Sequence, residues 1–537
     1  MRKLLIGLLL CSVLFCGEST ITLNYSPADF TVRADNEFVH IIMDGGIIIG
    51  SAGEPEILTV PVHILLPPGE NAIGVKNIDV EYDKLANDIL LAPFSPPVIR
   101  PMPGISQNIS PTEPNPEIYS QNKWFPQNSV DFAGNGNLSG YSIAELIIKP
   151  IRYNPITKEV EYIRSLTITV EHLPGKILAP AVRSPRSKQI FENIVRRLVN
   201  NPQCLNFYSA VQPMDVGAKD YLIIAPDETW ATEDTLFRLR LSIRRQGWND
   251  TLITATEIDA SYSGIDLPEK IRNCIKSVWE SDGIASVLLV GDESLLDVRH
   301  TFAMDCEAGF YEDENDIPCD LYFSDLDGNW NANGNDIFGE ISDSVDLYTD
   351  VLVGRVSVDD LSEFSGWLGK YITYVENTPG GFGAEALFLG QILWYSPYTD
   401  GGESKDMVRD EALPEHFSLL RLYESLGNEN IGTVTNALNA GYGVINHDGH
   451  ASYGSMGVGG YDYFTNDDAD ALFNYPYCGV LYSIGCWPAA FDYNCIAEHF
   501  FTNPDGGVVA FVGNSSCLLY TSPSPRDLST SRMPSSA

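Results

Sequence analysis

The chain is poor in positive charge: 33 Lys and Arg stand against 72 Asp and Glu in 537 residues, a formal net charge of −39. This argues against nucleic acid and anionic membrane surfaces as partners, because no basic footprint exists to displace counterions. Cysteine is also sparse, with ten in all, too few for a disulfide-built scaffold. Beyond the first residues no run reaches the ~20 apolar residues of a membrane span, so no transmembrane segment is expected. What remains is ordinary: 44% hydrophobic residues, 45 Gly and 33 Pro suit a folded chain of about two to four domains.

The first residues read MRKLLIGLLLCSVLFCGEST. A basic start (Arg2, Lys3), an apolar run over 4–15 and the small residues Gly17 and Ser19 predict a signal peptide over 1–19 and an exported, soluble product. Cys16 is the mark of a lipoprotein signal, but Phe15 stands where that signal has a small residue. The end differs in kind. Residues 517–537 turn abruptly Ser-, Pro- and Arg-rich after an apolar strand pattern. They have no hydrophobic period, are read as foreign to the protein, and are set aside from fold reasoning.

Between these ends the pattern changes once. Residues 20–175 carry short Val/Ile/Thr-rich runs (38–43, 57–65, 78–82, 141–148, 165–171) with Gly/Pro/Asn punctuation, the signature of an all-β domain. A Pro-dense stretch over 91–116 interrupts it as an extended surface segment. Residues 176–217 read as a linker with Arg183, Arg186 and Lys188, a short helix over 189–200 and a second loop. From 218 to 516, apolar strand-like runs (221–225, 252–255, 285–290, 351–353, 386–393, 443–446, 480–484, 508–512) alternate with helices (234–246, 268–281, 361–376, 431–439). Such alternation predicts an α/β domain with a mostly parallel sheet, whose function sits at the carboxyl ends of strands.

Two strand ends carry chemistry. GYGVIN is followed by His447-Asp448-Gly449-His450-Ala451-Ser452, and VLYSI by Gly485-Cys486-Trp487. A His and a Cys 36 residues apart, each just past a strand, match thiol catalysis: His450 makes the thiolate and Cys486 attacks a carbonyl. The N–H groups of Ala451 and Cys486 would form an oxyanion hole. The competing reading is a buried thiol and a hydrogen-bonded core histidine. His447 lacks companions at zinc-ligand spacing and reads as a turn residue. Trp487 reads as core or pocket rim.

The segments IGTVTNALNAGYGVINHDGHASYGSM, YPYCGVLYSIGCWPAAFDYNCIAEHFF and GGVVAFVGNSS resemble the gingipain-type cysteine peptidases. The likeness extends to DYLIIAP, SVLLVGD and DVLVGRVS, and to the β-rich N-terminal block around IKPIRYNP and EYIRSLTITVEH. It implies a caspase-like fold preceded by a propeptide, with His450 as base and Cys486 as nucleophile. It also implies protein or peptide substrates and the chain's own propeptide as inhibitor. The family's supporting acid would fall near Trp394; Asp400 and Glu403 are the carboxylates left to orient His450. Its acidic pocket residue falls at Lys405, between Glu403 and Asp406.

A calcium loop is also expected. Asn329, Asn331 and Asn333 lie at positions 1, 3 and 5 of an EF-hand-like pattern, with Gly334 at 6 and Glu340 at 12; Asn335, Asp325, Asp327 and Asp336 are further oxygens. The alternative is an Asn/Gly-rich turn. The calcium would be structural, as the resemblance also implies, and no cofactor is needed for the chemistry. Cys306 and Cys319 are spaced for a disulfide, and Cys478 and Cys495 read as buried. Setting Cys11, Cys16 and Cys517 aside leaves seven cysteines, an odd count that leaves one thiol. The sequence thus reads as a secreted bacterial cysteine endopeptidase made as a zymogen. The alternative class is a non-catalytic, calcium-stabilised surface or adhesion module that keeps the peptidase fold.

Overall fold

The computed structural model describes residues 17–516, apart from 36, 44, 96–111, 177, 209–212, 303–315, 379 and 396–397. The expected signal-peptide core, the middle of the Pro-dense stretch, Cys306 and the segment 517–537 lie outside the described residues. The chain divides into two compact units. One holds residues up to 94 together with 114–179 and 195–211; the other holds 180–194 and everything from 212 onward.

The first unit is all-β. Gly17–Asn24 pairs antiparallel along its whole length with Glu159–Pro174, which also pairs with Glu70–Ala86. A second antiparallel sheet runs Ile47–Ile48, Leu58–Leu65, Tyr141–Ile148, Val130–Leu138. The last two strands join through Ser139-Gly140, both in the left-handed region (φ 49° and 88°). That is the two-residue geometry that matches strand twist. Ile64, Leu146, Ile148, Leu166, Ile168 and Val170 pack between these sheets and are buried.

The expected linker 176–217 is not a free tether. Arg183 is fully buried, donates to Ser187 Oγ (3.2 Å) and stacks over Phe191. It precedes the helix Pro185–Leu198, which starts four residues earlier than the pattern suggested. Residues 213–217 are exposed.

The second unit carries two parallel sheets. The first is ordered Asp250–Thr254, Tyr221–Ala225, Ser286–Val290, Leu352–Val356. The second is ordered Ser418–Tyr423, Glu385–Gly390, Val444–Asp448, Val480–Ser483, Ala510–Val512. Leu361–Glu376 shows how the helices dock. Asp360 caps its N-terminus by accepting from Ser362 and Glu363 N–H, and Phe364, Trp367 and Leu368 form its buried stripe. Both sheets contribute to one core, with Ile223, Leu387, Leu389, Ile445 and Leu481 among its members. The expected α/β class with a mostly parallel sheet is what is found. The run 386–393, read as one strand, is broken. Glu385–Gly390 stays in the sheet, and Ile392–Tyr395 turns into a hairpin with Tyr398–Asp400.

Candidate active site

Val444–Asp448 (the histidine strand) and Val480–Ser483 (the cysteine strand) are parallel neighbours, with His447 opposite Ser483. His450 and Cys486 each lie three residues past that register pair. Equal offsets from one rung of a parallel ladder deliver both to the same sheet edge. The Ile484 N–H bond to the His447 carbonyl (2.9 Å) carries the pairing one step further. The two turns then touch: a Cβ on Gly485 would collide with the Ala451 side chain and lie 3.2 Å from the Gly449 carbonyl. Only glycine lets the turns close on each other.

Cys486 is 9% exposed and keeps its thiol, as do Cys204, Cys274, Cys319, Cys478 and Cys495. Trp487, the next residue, sits at φ 60°. A bulky residue in the left-handed region costs of order 1–2 kcal/mol. Its N–H bonds the Ser516 carbonyl (3.1 Å), which holds that turn.

His450 is oriented by main chain and by an aromatic ring. Its Nε2–H donates to the Leu393 carbonyl (3.0 Å), and its ring meets Trp394 edge-to-face with centroids 5.0 Å apart. Its N–H donates to Gln391 Oε1 (2.9 Å). With Nε2 protonated, a neutral imidazole carries its lone pair on Nδ1. The Gly457 N–H bonds the His450 carbonyl (2.6 Å), so the following register pair, Ala451 with Met456, is the non-bonded one. The Ala451 N–H therefore points away from its hairpin partner.

Of the two carboxylates expected to support His450, one caps a helix and the other is exposed. Asp400 caps the helix Gly401–Ala412, accepting from Gly402 N–H (2.8 Å). Glu403 is exposed in the first turn of that helix. Lys405 is fully buried; its Nζ donates to Asn446 Oδ1 (2.8 Å) and lies 3.9 Å from Asp448 Oδ2. Burial pushes the Lys405 amine down and the Asp448 carboxyl up. Asp406 accepts from Arg421 and from the Tyr423 hydroxyl (3.0 Å).

His447 is a buried strand residue, not the turn residue the motif suggested. Its Nε2–H donates to the Gly457 carbonyl (2.8 Å), and Nδ1 pairs with the Ser483 hydroxyl (2.8 Å). Burial lowers its pKa to about 4. The unfolded chain binds that proton near pH 6.5, so its contribution is complete above pH 6.5 and is lost as pH falls towards 4. The loss is about 3 kcal/mol in full. Unfolding free energies between pH 7 and 4.5 should show this slope, and His447→Gln should flatten it by up to one proton.

The Asn oxygens expected to hold calcium bond to main-chain N–H groups within the loop. Oδ1 of Asn329, Asn331, Asn333 and Asn335 accept from the main-chain N–H groups of Asn331, Asp336, Asn335 and Ile337 (2.9–3.2 Å). The Asn333 and Asn335 amides both donate to Glu340 Oε2 (2.7 Å). Each oxygen closes a local turn. Two of the further oxygens named from the sequence do converge: Asp325 and Asp327, with Asp350, bring carboxylate oxygens within 4.8 Å of one another. Asp325 and Asp350 are fully buried, and Asp325 Oδ2 has no hydrogen-bond partner among the described residues. Burial and repulsion by Asp327 raise the Asp325 pKa to about 6 and that of Asp350 well above normal. Arg272, the nearby cation, donates instead to the carbonyls of Tyr322, Asp325 and Gly328.

A thiol and an imidazole delivered by adjacent parallel strands to one sheet edge are the pair that thiol hydrolysis uses. Comparison with known proteins gives the family. The model of peptidase family C25 matches residues 215–531, and that of the C25 propeptide matches 17–201. The chain belongs to peptidase family C25. It is similar to gingipain R1 of Porphyromonas gingivalis, 22% identical over 426 residues, which are 75% of this chain and 38% of that protein. An uncharacterized protein of Archaeoglobus fulgidus is 26% identical over 210 residues, 32% of this chain and 48% of its own. The crystal structure of the Arg-specific cysteine proteinase gingipain R superposes with a TM-score of 0.43 at 17% identity, over 56% of this chain and 63% of that one. The chain thus spans about two fifths of the gingipain R1 length.

Reasoning from sequence missed three contributors: Gln391, the Leu393 carbonyl, and the chain Ser483–His447–Gly457. Gln391 was legible only as the polar residue inside an apolar run. A carbonyl has no sequence signature.

Proposed function

We propose that this chain is the zymogen of an exported cysteine endopeptidase that hydrolyses protein or peptide substrates through Cys486 and His450. The observation that carries the proposal is the equal offset of the two residues from the His447/Ser483 register pair. His450 Nδ1 takes the thiol proton, and the Cys486 sulfur attacks the scissile carbonyl. The oxyanion is received by the N–H groups of Ala451 and Cys486. The imidazolium then protonates the leaving amine, and water attacks the thioester to release the acid and regenerate the thiol. The Leu393 carbonyl, which accepts the Nε2–H, stabilises the imidazolium. Export is inferred from the basic start (Arg2, Lys3) and the apolar run over 4–15.

The all-β unit matched by the propeptide model acts as intramolecular inhibitor in this reading. The exposed residues 213–217, rather than buried Arg183, are the segment to be cut. Arg or Lys specificity through position 405 is not expected, because Lys405 is cationic and already bonded to Asn446.

The test is the reactivity of the thiol. At pH 6, iodoacetamide should alkylate Cys486 at least about tenfold faster than Cys204 or Cys319, and His450→Ala should remove the difference. Uniformly slow labelling would favour the non-catalytic binding module instead.

Calcium belongs to the same proposal, moved from the Asn-rich turn to Asp325, Asp327 and Asp350. Three clustered carboxylates with one unpartnered buried oxygen suit a hard dication and all-oxygen ligands. Calcium at one hundred times its dissociation constant should stabilise the unit by about 2–3 kcal/mol. Asp350→Asn should abolish that gain; a melting temperature equal in calcium and in chelator would refute the site.

A further inference from the structure

We propose that Gln391 is a positioning residue for the catalytic His450. The inference rests on the peptidase reading and adds to it a specific structural cause. Gln391 follows Gly390 at the carboxyl end of the strand Glu385–Gly390, the parallel neighbour of the histidine strand, and is 1% exposed. Its four polar groups are all used; one reaches the last residue of the histidine strand and two reach the segments that follow it. Oε1 accepts the His450 N–H (2.9 Å), Nε2 donates to the Gly460 carbonyl (3.4 Å), and the main-chain N–H donates to the Asp448 carbonyl (2.9 Å). Its own carbonyl accepts from Gly401 N–H (2.9 Å), the start of the neighbouring helix.

Two residues on, the Leu393 carbonyl takes the imidazole Nε2–H. One three-residue segment therefore holds His450 at both ends, its backbone through the Gln391 amide and its ring through a carbonyl. A ring shifts when its Cα moves; fixing the Cα removes that freedom, which is where positional precision enters the rate. The strand break at Gln391 is what aims the amide at the turn. Gly457 leaves the room: a Cβ there would collide with Gln391 Oε1 and lie 2.9 Å from Cδ and Nε2. Gly457 does not occupy the left-handed region, so Gly457→Ala would displace the amide without demanding a new backbone conformation.

The experiment uses the full chain and three variants, Gln391→Leu, Gln391→Glu and Gly457→Ala. Readouts are kcat and KM on a fluorogenic peptide, the pH profile of Cys486 alkylation by iodoacetamide, and the melting temperature. Gln391→Leu should lower kcat about 10- to 100-fold, with KM within about threefold, and move the alkylation profile to higher pH. Gln391→Glu keeps an acceptor for the His450 N–H and should recover kcat to within about fivefold of wild type. Gly457→Ala should reproduce Gln391→Leu. Wild-type kcat with an unmoved alkylation profile in Gln391→Leu overturns the proposal, as does a raised KM at unchanged kcat. If Gln391→Leu does not fold, wild-type kcat in Gly457→Ala overturns it equally. Failure of the underlying reading is visible separately, as a wild-type Cys486 no more reactive than the other thiols.

Discussion

Replacing Lys405 by Met should lower the unfolding free energy of the α/β unit by about 3–5 kcal/mol. The amine is fully buried beneath the histidine strand, bonded to Asn446 Oδ1 and 3.9 Å from Asp448 Oδ2. Met fills similar volume, so little packing is lost. What changes is that Asp448, itself buried, keeps the Ser404 hydroxyl but loses its cation. Removing one partner of a buried pair costs far more than the pair contributes, because the other charge is left uncompensated. Lys405→Met/Asp448→Asn should therefore recover most of the loss, which a denaturant titration of the single and double variants will show. Asp448 is two residues before His450, so the single variant should also reduce turnover. A loss below 1 kcal/mol, or a double variant no better than the single, would contradict this account of the pair.

Much of the fold was legible because its signals are local. Leu361–Glu376 begins and ends where its cap and apolar stripe put it, and Tyr221–Ala225 and Tyr141–Ile148 likewise match their apolar runs. The helix Gly401–Ala412 was not read. It opens on two glycines and is nearly all polar, so no hydrophobic period announces it; its one signal is the cap residue Asp400. Ser418–Tyr423 was hidden for the opposite reason. It is an edge strand with alternating exposure, preceded by a helix that had itself gone unseen.

The site divides along the same line. Cys486 and His450 stand in the sequence as reactive side chains beyond apolar strands, and strand register does the rest. Their supports do not stand out. A carboxylate can be sought by residue type, which is why Asp400 and Glu403 were considered, but the Leu393 carbonyl is a backbone group. Lys405 was read as a pocket residue between acids; its burial depends on the helix that the pattern missed. The calcium expectation was legible only in part, in Asp325 and Asp327. The spacing of Asn329, Asn331, Asn333 and Glu340 is right for ligands, yet amide oxygens two residues from a main-chain N–H close turns on themselves. The carboxylates that converge, Asp325, Asp327 and Asp350, include one residue far along the chain from the motif.

The largest effect expected is at the nucleophile. Cys486→Ala removes the one atom that forms the acyl-enzyme while leaving both strands, the Gly485–Ala451 contact and the Gln391 clamp in place. A 9%-exposed thiol exchanged for a methyl group changes little volume, so the melting temperature should move by no more than a few degrees. Hydrolysis should fall on the order of 10⁴-fold, because no other group at this sheet edge can take over covalent attack. The decisive measurement is cleavage of casein by the full chain and by its Cys486→Ala form under identical conditions. The account predicts cleavage by the first and none above background by the second, with both equally folded. Equal cleavage by the two would contradict it.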